Sequence, residues 1–175
     1  GAMNETLRHR GPDDAGVWRS ADATAALAQR RLAIIDLTPG GHQPMVEDDG
    51  RLAIVFNGEI YNFQALRAEL AGRGHRFRST CDTEVLLKAY RQWGLACVDH
   101  LEGMFAFAIY DAVERRVFLA RDRAGEKPLF WWRDGERVMF ASELKALMAH
   151  PDFPRRLSIE ALDFYLAYGY VPGSL

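Results

Sequence analysis

Asn57-Gly58 closes the apolar stretch Ala53-Ile54-Val55-Phe56 and opens onto Glu59-Ile60-Tyr61-Asn62. Four apolar, β-branched and aromatic residues without a charge read as a buried strand, and an amphipathic helical pattern begins at Phe63. Asn and Gly adopt positive φ most readily, so the strand is expected to end in a turn at this pair. There a side-chain amide and a bare backbone N–H can point into one space, which is the equipment of an oxyanion hole. The same pair also reads as a strand-to-helix turn in which geometry is the whole requirement. Two further groups carry a similar double reading. Arg30 and Arg31 interrupt an apolar stretch, and a guanidinium at a strand end either faces solvent or takes a carboxylate bidentately. Asp82 precedes an amphipathic helix, where a carboxylate can cap the helix or hold a ligand's cation.

Composition narrows the chemistry. The chain has 175 residues, 49% of them hydrophobic, which suits one domain with a substantial core. Twenty-two basic against twenty-four acidic residues leave a net charge of −2. With no block of either sign, no nucleic acid and no membrane surface is expected as a partner, and the ligand should be small. Apolar runs such as 104–110 are far below the roughly 20 residues that cross a bilayer. Cys81 and Cys97 form no disulfide framework and no metal-ligand spacing, which suits a reducing cytoplasm. Five scattered histidines give no support to a metal site.

The elements that must position these groups follow from periodicity. Residues 3–8 read as the end of a helix and 9–14 as a tight turn. Residues 16–19 and 25–35 suggest a hairpin, and 38–44 a loop long enough to lie over a pocket. Residues 63–72 place Phe63, Leu66 and Leu70 on one helical face, with Gly72 and Gly74 as the stop. Residues 85–93 form a second amphipathic helix with Asp82 or Thr83 as its N-cap, and 96–101 a short third one. Strands are expected at 103–111, 115–121, 129–133 and 137–141, joined as one antiparallel meander, with helices at 143–149 and 158–168. The result is an α+β domain.

Eight tracts then fall in a characteristic order: HRGPDD (9–14), RRLAIIDL (30–37), GGHQPM (40–45), FNGEIYN (56–62), DTE (82–84), GMFAFAIYD (103–111), RDRAGEKPLF (121–130) and ASELKAL (141–147). Together they resemble the glutaminase domain of asparagine synthetase-type enzymes, over nearly the whole chain. The resemblance implies an N-terminal nucleophile hydrolase fold, two antiparallel sheets stacked between helical layers. It implies that a cysteine thiolate attacks the side-chain amide of glutamine and that ammonia passes to a separate synthetase domain. ATP and Mg belong to that domain, with no cofactor here, and its acceptor is aspartate or another carboxylate. By matching positions, Asn57 and Gly58 form the oxyanion hole, Arg31 holds the substrate carboxylate, and Asp82 holds its ammonium. Glu59 adds an acceptor, and the backbone of Arg31, Leu32, Ala33, Ile34 and Ile35 lines the pocket. Arg30 is expected to be structural, and His9 a buried hydrogen-bonding residue. Arg121, Asp122, Lys127 and Pro128 are expected to shape the meander and an interdomain surface.

The family's nucleophile is an N-terminal cysteine, and this chain begins Gly1-Ala2-Met3. Cys81 and Cys97 cannot replace it, because thiol and α-amine must sit on one residue. Residues 1–175 are therefore expected to be a glutaminase domain without its cysteine-bearing strand and without the synthetase domain. That predicts a chain inactive by itself and open to self-association through uncovered apolar surface. The alternative is a non-catalytic glutamine- or glutamate-binding or scaffold domain.

Overall fold

A computed structural model describes residues 1–36 and 38–173. Leu37, the last residue of the RRLAIIDL tract, and Ser174 and Leu175 lie outside the described residues. The helices are α1 (Ala2–Glu5), α2 (Phe63–Gly72), α3 (Asp82–Trp93), α4 (Leu144–Met148) and α5 (Ile159–Tyr168). The strands are β1 (Asp14–Arg19), β2 (Ala26–Arg31), β3 (Met45–Val46), β4 (Leu52–Ile60), β5 (Gly103–Asp111), β6 (Arg116–Arg121), β7 (Phe130–Asp134) and β8 (Arg137–Ala141). A 3₁₀ segment, Gly94–His100, stands where the short third helix is expected.

The centre is an antiparallel sheet in the order β3-β4-β5-β6. Strand alternation gives it two apolar faces. One carries Leu52, Ile54, Phe56 and Ile60 of β4 with Phe105, Phe107 and Ile109 of β5, and it packs on Leu66 and Leu70 of α2 and on Val85, Leu86 and Ala89 of α3. The opposite face carries Ala53, Val55, Ala108 and Tyr110 and packs on Leu27 of β2, with Trp18 and Phe140 at its margin. Two separate hairpins, β1-β2 and β7-β8, cover that second face. A smaller cluster of Ala141, Ala146 and Leu147 joins β8 to α4, and Met3 and Leu7 lean on it.

Three expectations change. Asn57-Gly58 is not a turn: β4 continues to Ile60, and Asn57 and Gly58 pair in register with Ala106 and Phe105. Gly58 is needed for close approach, since a Cβ there would lie 2.2 Å from the Met104 carbonyl oxygen. The second strand stops at Arg31 instead of 35, because the chain turns away where the Asp13 N–H reaches the Arg31 carbonyl (3.1 Å) and the Ala33 N–H reaches Asp13 Oδ2 (2.9 Å). Nor is there a four-strand meander. After β6 the Asp122 carboxylate accepts the N–H groups of Phe105 (3.2 Å), Glu126 (2.8 Å) and Lys127 (3.0 Å), which curls residues 122–127 out of the sheet. The strands β7 and β8 therefore form their own hairpin, and Asp122 shapes the exit from β6 instead of a four-strand meander.

Between the hairpins, over the second face of the sheet, lies a cavity of about 530 Å³. Leu27 and Gln29 of β2, Phe140 of β8, Ala106 of β5 and Asn57 of β4 are among its walls, and Gly1 reaches its rim.

Candidate active site

Strand β4 places the two residues of the oxyanion pair differently. Asn57 has the parity of Val55 and faces the cavity, and its side chain makes no hydrogen bond to a described residue. Gly58 has the parity of Phe56 and Ile60, whose N–H groups point away from β5. The Phe56 N–H donates to Gln43 Oε1 (2.7 Å), and the Ile60 N–H donates to Asp82 Oδ2 (3.1 Å). On the β5 side, the Phe105 N–H and carbonyl both turn to Asp122, so they are not available to Gly58. Strand β3 ends at its pairing with Ile54. The Gly58 N–H is thus left on an open strand edge without a partner among the described residues, next to the free amide of Asn57. A buried or half-buried main-chain donor in that state is rare and costly, which makes it a natural seat for an acceptor oxygen.

The DTE tract divides into three tasks. Asp82 does not cap α3 with its side chain: Cys81 is the N-cap residue, and the Asp82 carboxylate reaches across to β4. Its side chain is 4% exposed, and burial pushes its pKa above the ordinary carboxylate value, with Glu59 adding repulsion against the donors Ile60 and Thr83. Thr83 Oγ1 accepts from Gln43 Nε2 at 3.3 Å. Glu84, also buried, accepts the N–H groups of Arg78 (2.9 Å) and Ser79 (2.7 Å) and the Ser79 hydroxyl (2.7 Å), which shapes the entry to the helix.

Arg31 ends β2, and its guanidinium donates to the Asp36 carbonyl and lies against Gly41, where a Cβ would be 2.1 Å from Nη2. The Asp36 carboxylate binds Thr38 and also the N–H (3.2 Å) and hydroxyl (3.1 Å) of Thr80. Those hydroxyl and backbone donors, Thr38 first, hold its pKa down to about 2. Asp36 therefore fastens the Arg31 loop to the segment that leads into Asp82. Along this loop Leu32 and Ile34 turn outward, at 56% and 70% exposure. Glu59 is half-buried, on the Asn57 face of β4. Sequence reasoning missed Asp36, Gln29 and Gln43. Asp36 and Gln43 sit inside the tracts at 30–37 and 40–45, but nothing in their spacing shows which main-chain group they meet.

The remaining expectations sort simply. Arg30 is structural, donating to Glu5 and to the Asn4 carbonyl. His9 is hydrogen-bonded to Glu143 Oε1 (3.1 Å), but its side chain is 53% exposed instead of buried, because it lies on the short surface helix 8–10. Both thiols are buried. Cys81 is buried against the Ser79 hydroxyl with its pKa raised by burial, and Cys97 is pushed up to about 12 by the same cause.

The architecture is that of the N-terminal nucleophile amidotransferases. The glutamine phosphoribosylpyrophosphate amidotransferase of Bacillus subtilis superposes with a TM-score of 0.71, covering 85% of this chain and 39% of that one, at 23% identity, a likeness of fold alone. The sequence also matches the profile of the glutamine amidotransferase domain over residues 1–174. The chain belongs to that family, in its class II, asparagine synthetase group. It is 44% identical to asparagine synthetase [glutamine-hydrolyzing] 3 of Bacillus subtilis, covering 98% of this chain and 28% of that protein. A putative asparagine synthetase [glutamine-hydrolyzing] 2 of Methanocaldococcus jannaschii is 37% identical, covering 97% and 36%. The chain thus spans about a third or less of these relatives.

Proposed function

We propose that this chain is the glutaminase part of an asparagine synthetase-like amidotransferase. It would hydrolyse glutamine to glutamate and ammonia for the ATP-dependent amidation of aspartate or another carboxylate elsewhere in the protein. The open Gly58 N–H beside the unpaired Asn57 amide carries this reading, because both donors are set before any substrate arrives. A thiolate adding to the glutamine amide carbon would push negative charge onto its oxygen, where these donors lie. The C–N bond then breaks, ammonia leaves with a proton, and water cleaves the thioester to glutamate. Arg31 would take the α-carboxylate and Asp82 the α-ammonium, with Glu59 as a further acceptor and the backbone of residues 31–35 as the pocket wall.

The nucleophile must come from outside the described side chains, since Cys81 and Cys97 are buried thiols with raised pKa values. The cavity between β2 and β8 touches Asn57 and is bordered by two strands that each pair on one side only. A strand bearing a cysteine would fit there. The second reading is a non-catalytic glutamine- or glutamate-binding or scaffold domain, favoured by the burial and raised pKa of both thiols alone.

Calorimetric titration with glutamine tests the site, alongside an ammonia-release assay. Arg31→Ala and Asp82→Ala should each weaken binding at least thirtyfold, from the roughly 2–5 kcal/mol that removal of one partner of a desolvated charged pair costs. Ammonia release should be absent from the parent chain. Parent-like affinity in both variants removes Arg31 and Asp82 from the site, and turnover by the parent chain removes the need for an external nucleophile.

A further inference from the structure

Beyond β3, the outward edge of β4 has no strand beside it, and side chains take its main-chain groups on either side of the open Gly58 N–H. Both polar groups of Phe56 are taken by glutamine side chains: its N–H by Gln43 Oε1 (2.7 Å) and its carbonyl by Gln29 Nε2 (3.1 Å). The other end of the Gln43 amide donates to Thr83 Oγ1, in the first turn of α3 (3.3 Å). Asp82, the residue before Thr83, accepts the Ile60 N–H (3.1 Å). Three hydrogen bonds thereby close a ring, from Gln43 to Phe56, along β4 to Ile60, across to Asp82, and from Thr83 back to Gln43. Asn57, Gly58 and Glu59 are the residues that the ring encloses.

We propose that Gln43 is a positioning residue of the glutamine site, fixing the span between the Gly58 N–H and the Asp82 carboxylate. The inference rests on the glutamine reading given above. Gln43 is 5% exposed, so both bonds form in the interior, where a polar side chain with one end unpaired is heavily penalised. Glutamine supplies an acceptor and a donor on one planar group. Glutamate in its ionised form has no donor, and methionine of similar length has neither group. A fixed span matters for selectivity. A substrate held by its α-ammonium at one end and its amide oxygen at the other must match that span, and asparagine is one methylene too short.

The test uses the chain as it stands, with Gln43→Met, Thr83→Val and Thr83→Ser. Amide hydrogen exchange followed by NMR reads the ring directly. Affinities for glutamine and asparagine read its consequence, and thermal melting reports general damage. Gln43→Met and Thr83→Val both remove the Gln43–Thr83 bond while leaving the Ile60–Asp82 bond its partners, and if the ring holds strand to helix, exchange of the Ile60 amide should still rise about tenfold, the size of one buried hydrogen bond. Glutamine affinity should fall by a similar factor, and the preference for glutamine over asparagine should narrow. Thr83→Ser keeps the hydroxyl and should match the parent in all three. A lower melting temperature with unchanged Ile60 exchange and unchanged preference overturns the proposal, as does a Thr83→Ser chain damaged like Thr83→Val. A parent chain that binds neither amino acid overturns the glutamine reading, and Ile60 exchange still decides separately whether Gln43 ties strand to helix.

Discussion

Asp82 shows how the residue proposed to hold the substrate ammonium works against its own fold. Its carboxylate is buried, faces the Glu59 carboxylate, and receives the N–H groups of Ile60 and Thr83, and burial outweighs those donors to raise its pKa above 3.8. A carboxyl raised in the folded state holds its proton longer there, so its contribution to stability is lost as pH rises from about 4 through the raised value. Asp82→Asn keeps an oxygen for the Ile60 N–H and removes the charge. It should therefore unfold at higher urea than the parent at pH 7, with the difference shrinking as pH falls through the raised value towards about 4. Glutamine binding should run the other way, tightening as pH rises through the same window and vanishing in Asp82→Asn, because the ammonium needs the ionised partner. Coincident unfolding curves at pH 7 would show that the buried charge carries no cost. The type of residue at position 82 was legible in the DTE tract, whereas its direction was not. A carboxylate at a helix start reads as a cap from local sequence, and only the approach of β4 gives it another donor.

Among the elements, β4 and β5 depend on close backbone approach at two glycines. A Cβ on Gly58 would meet the Met104 carbonyl oxygen at 2.2 Å, and one on Gly103 would meet the Glu59 carbonyl oxygen at 2.1 Å. Gly58→Ala should consequently destabilise the domain by about 1–3 kcal/mol through forced separation of the strands, measured as a lower urea midpoint at unchanged slope. Parent stability would mean that the strands yield freely at this pair. The Asn-Gly dipeptide was misread as a turn for a physical reason. The residue types that permit positive φ are also those that permit two strands to touch, and local sequence does not separate the two uses. The helix at 63–72 and the strands at 103–111 and 137–141 were legible because their apolar spacing repeats without interruption.

For the whole molecule, the uncovered surface is as informative as the core. Helix α5 contributes no buried residue, and Ile159, Tyr165, Leu166 and Tyr168 on it are all exposed, as are the flanking Leu157 and Tyr170. Such a patch retains its driving force for association. The chain should show a weight-average mass that rises with concentration in sedimentation equilibrium, and Ile159→Lys with Leu166→Lys should suppress the rise. A mass constant over a hundredfold range in the parent would refute association through this helix. No helix among the described residues is long and apolar enough to cross a membrane, so the patch is a surface feature of the domain and not a span.

The sequence by itself determined the family, through eight tracts in one order, and with it the residue types at 31, 57, 58, 59 and 82. It also determined most element spans, because helix and strand periods are local properties that survive without tertiary context. Only the tertiary structure decided that the hairpins stand apart over a cavity, since Asp122 draws N–H groups from Phe105 and from its own turn. Only it decided that the Gly58 N–H stays open, which depends on where β3 ends and on which side chains replace it. Hydrogen bonds such as Gln43 to Phe56 or Asp36 to Thr80 join residues 13 and 44 positions apart. Their partners are main-chain groups, which every residue carries alike, so no pattern of side chains in the sequence can mark them in advance.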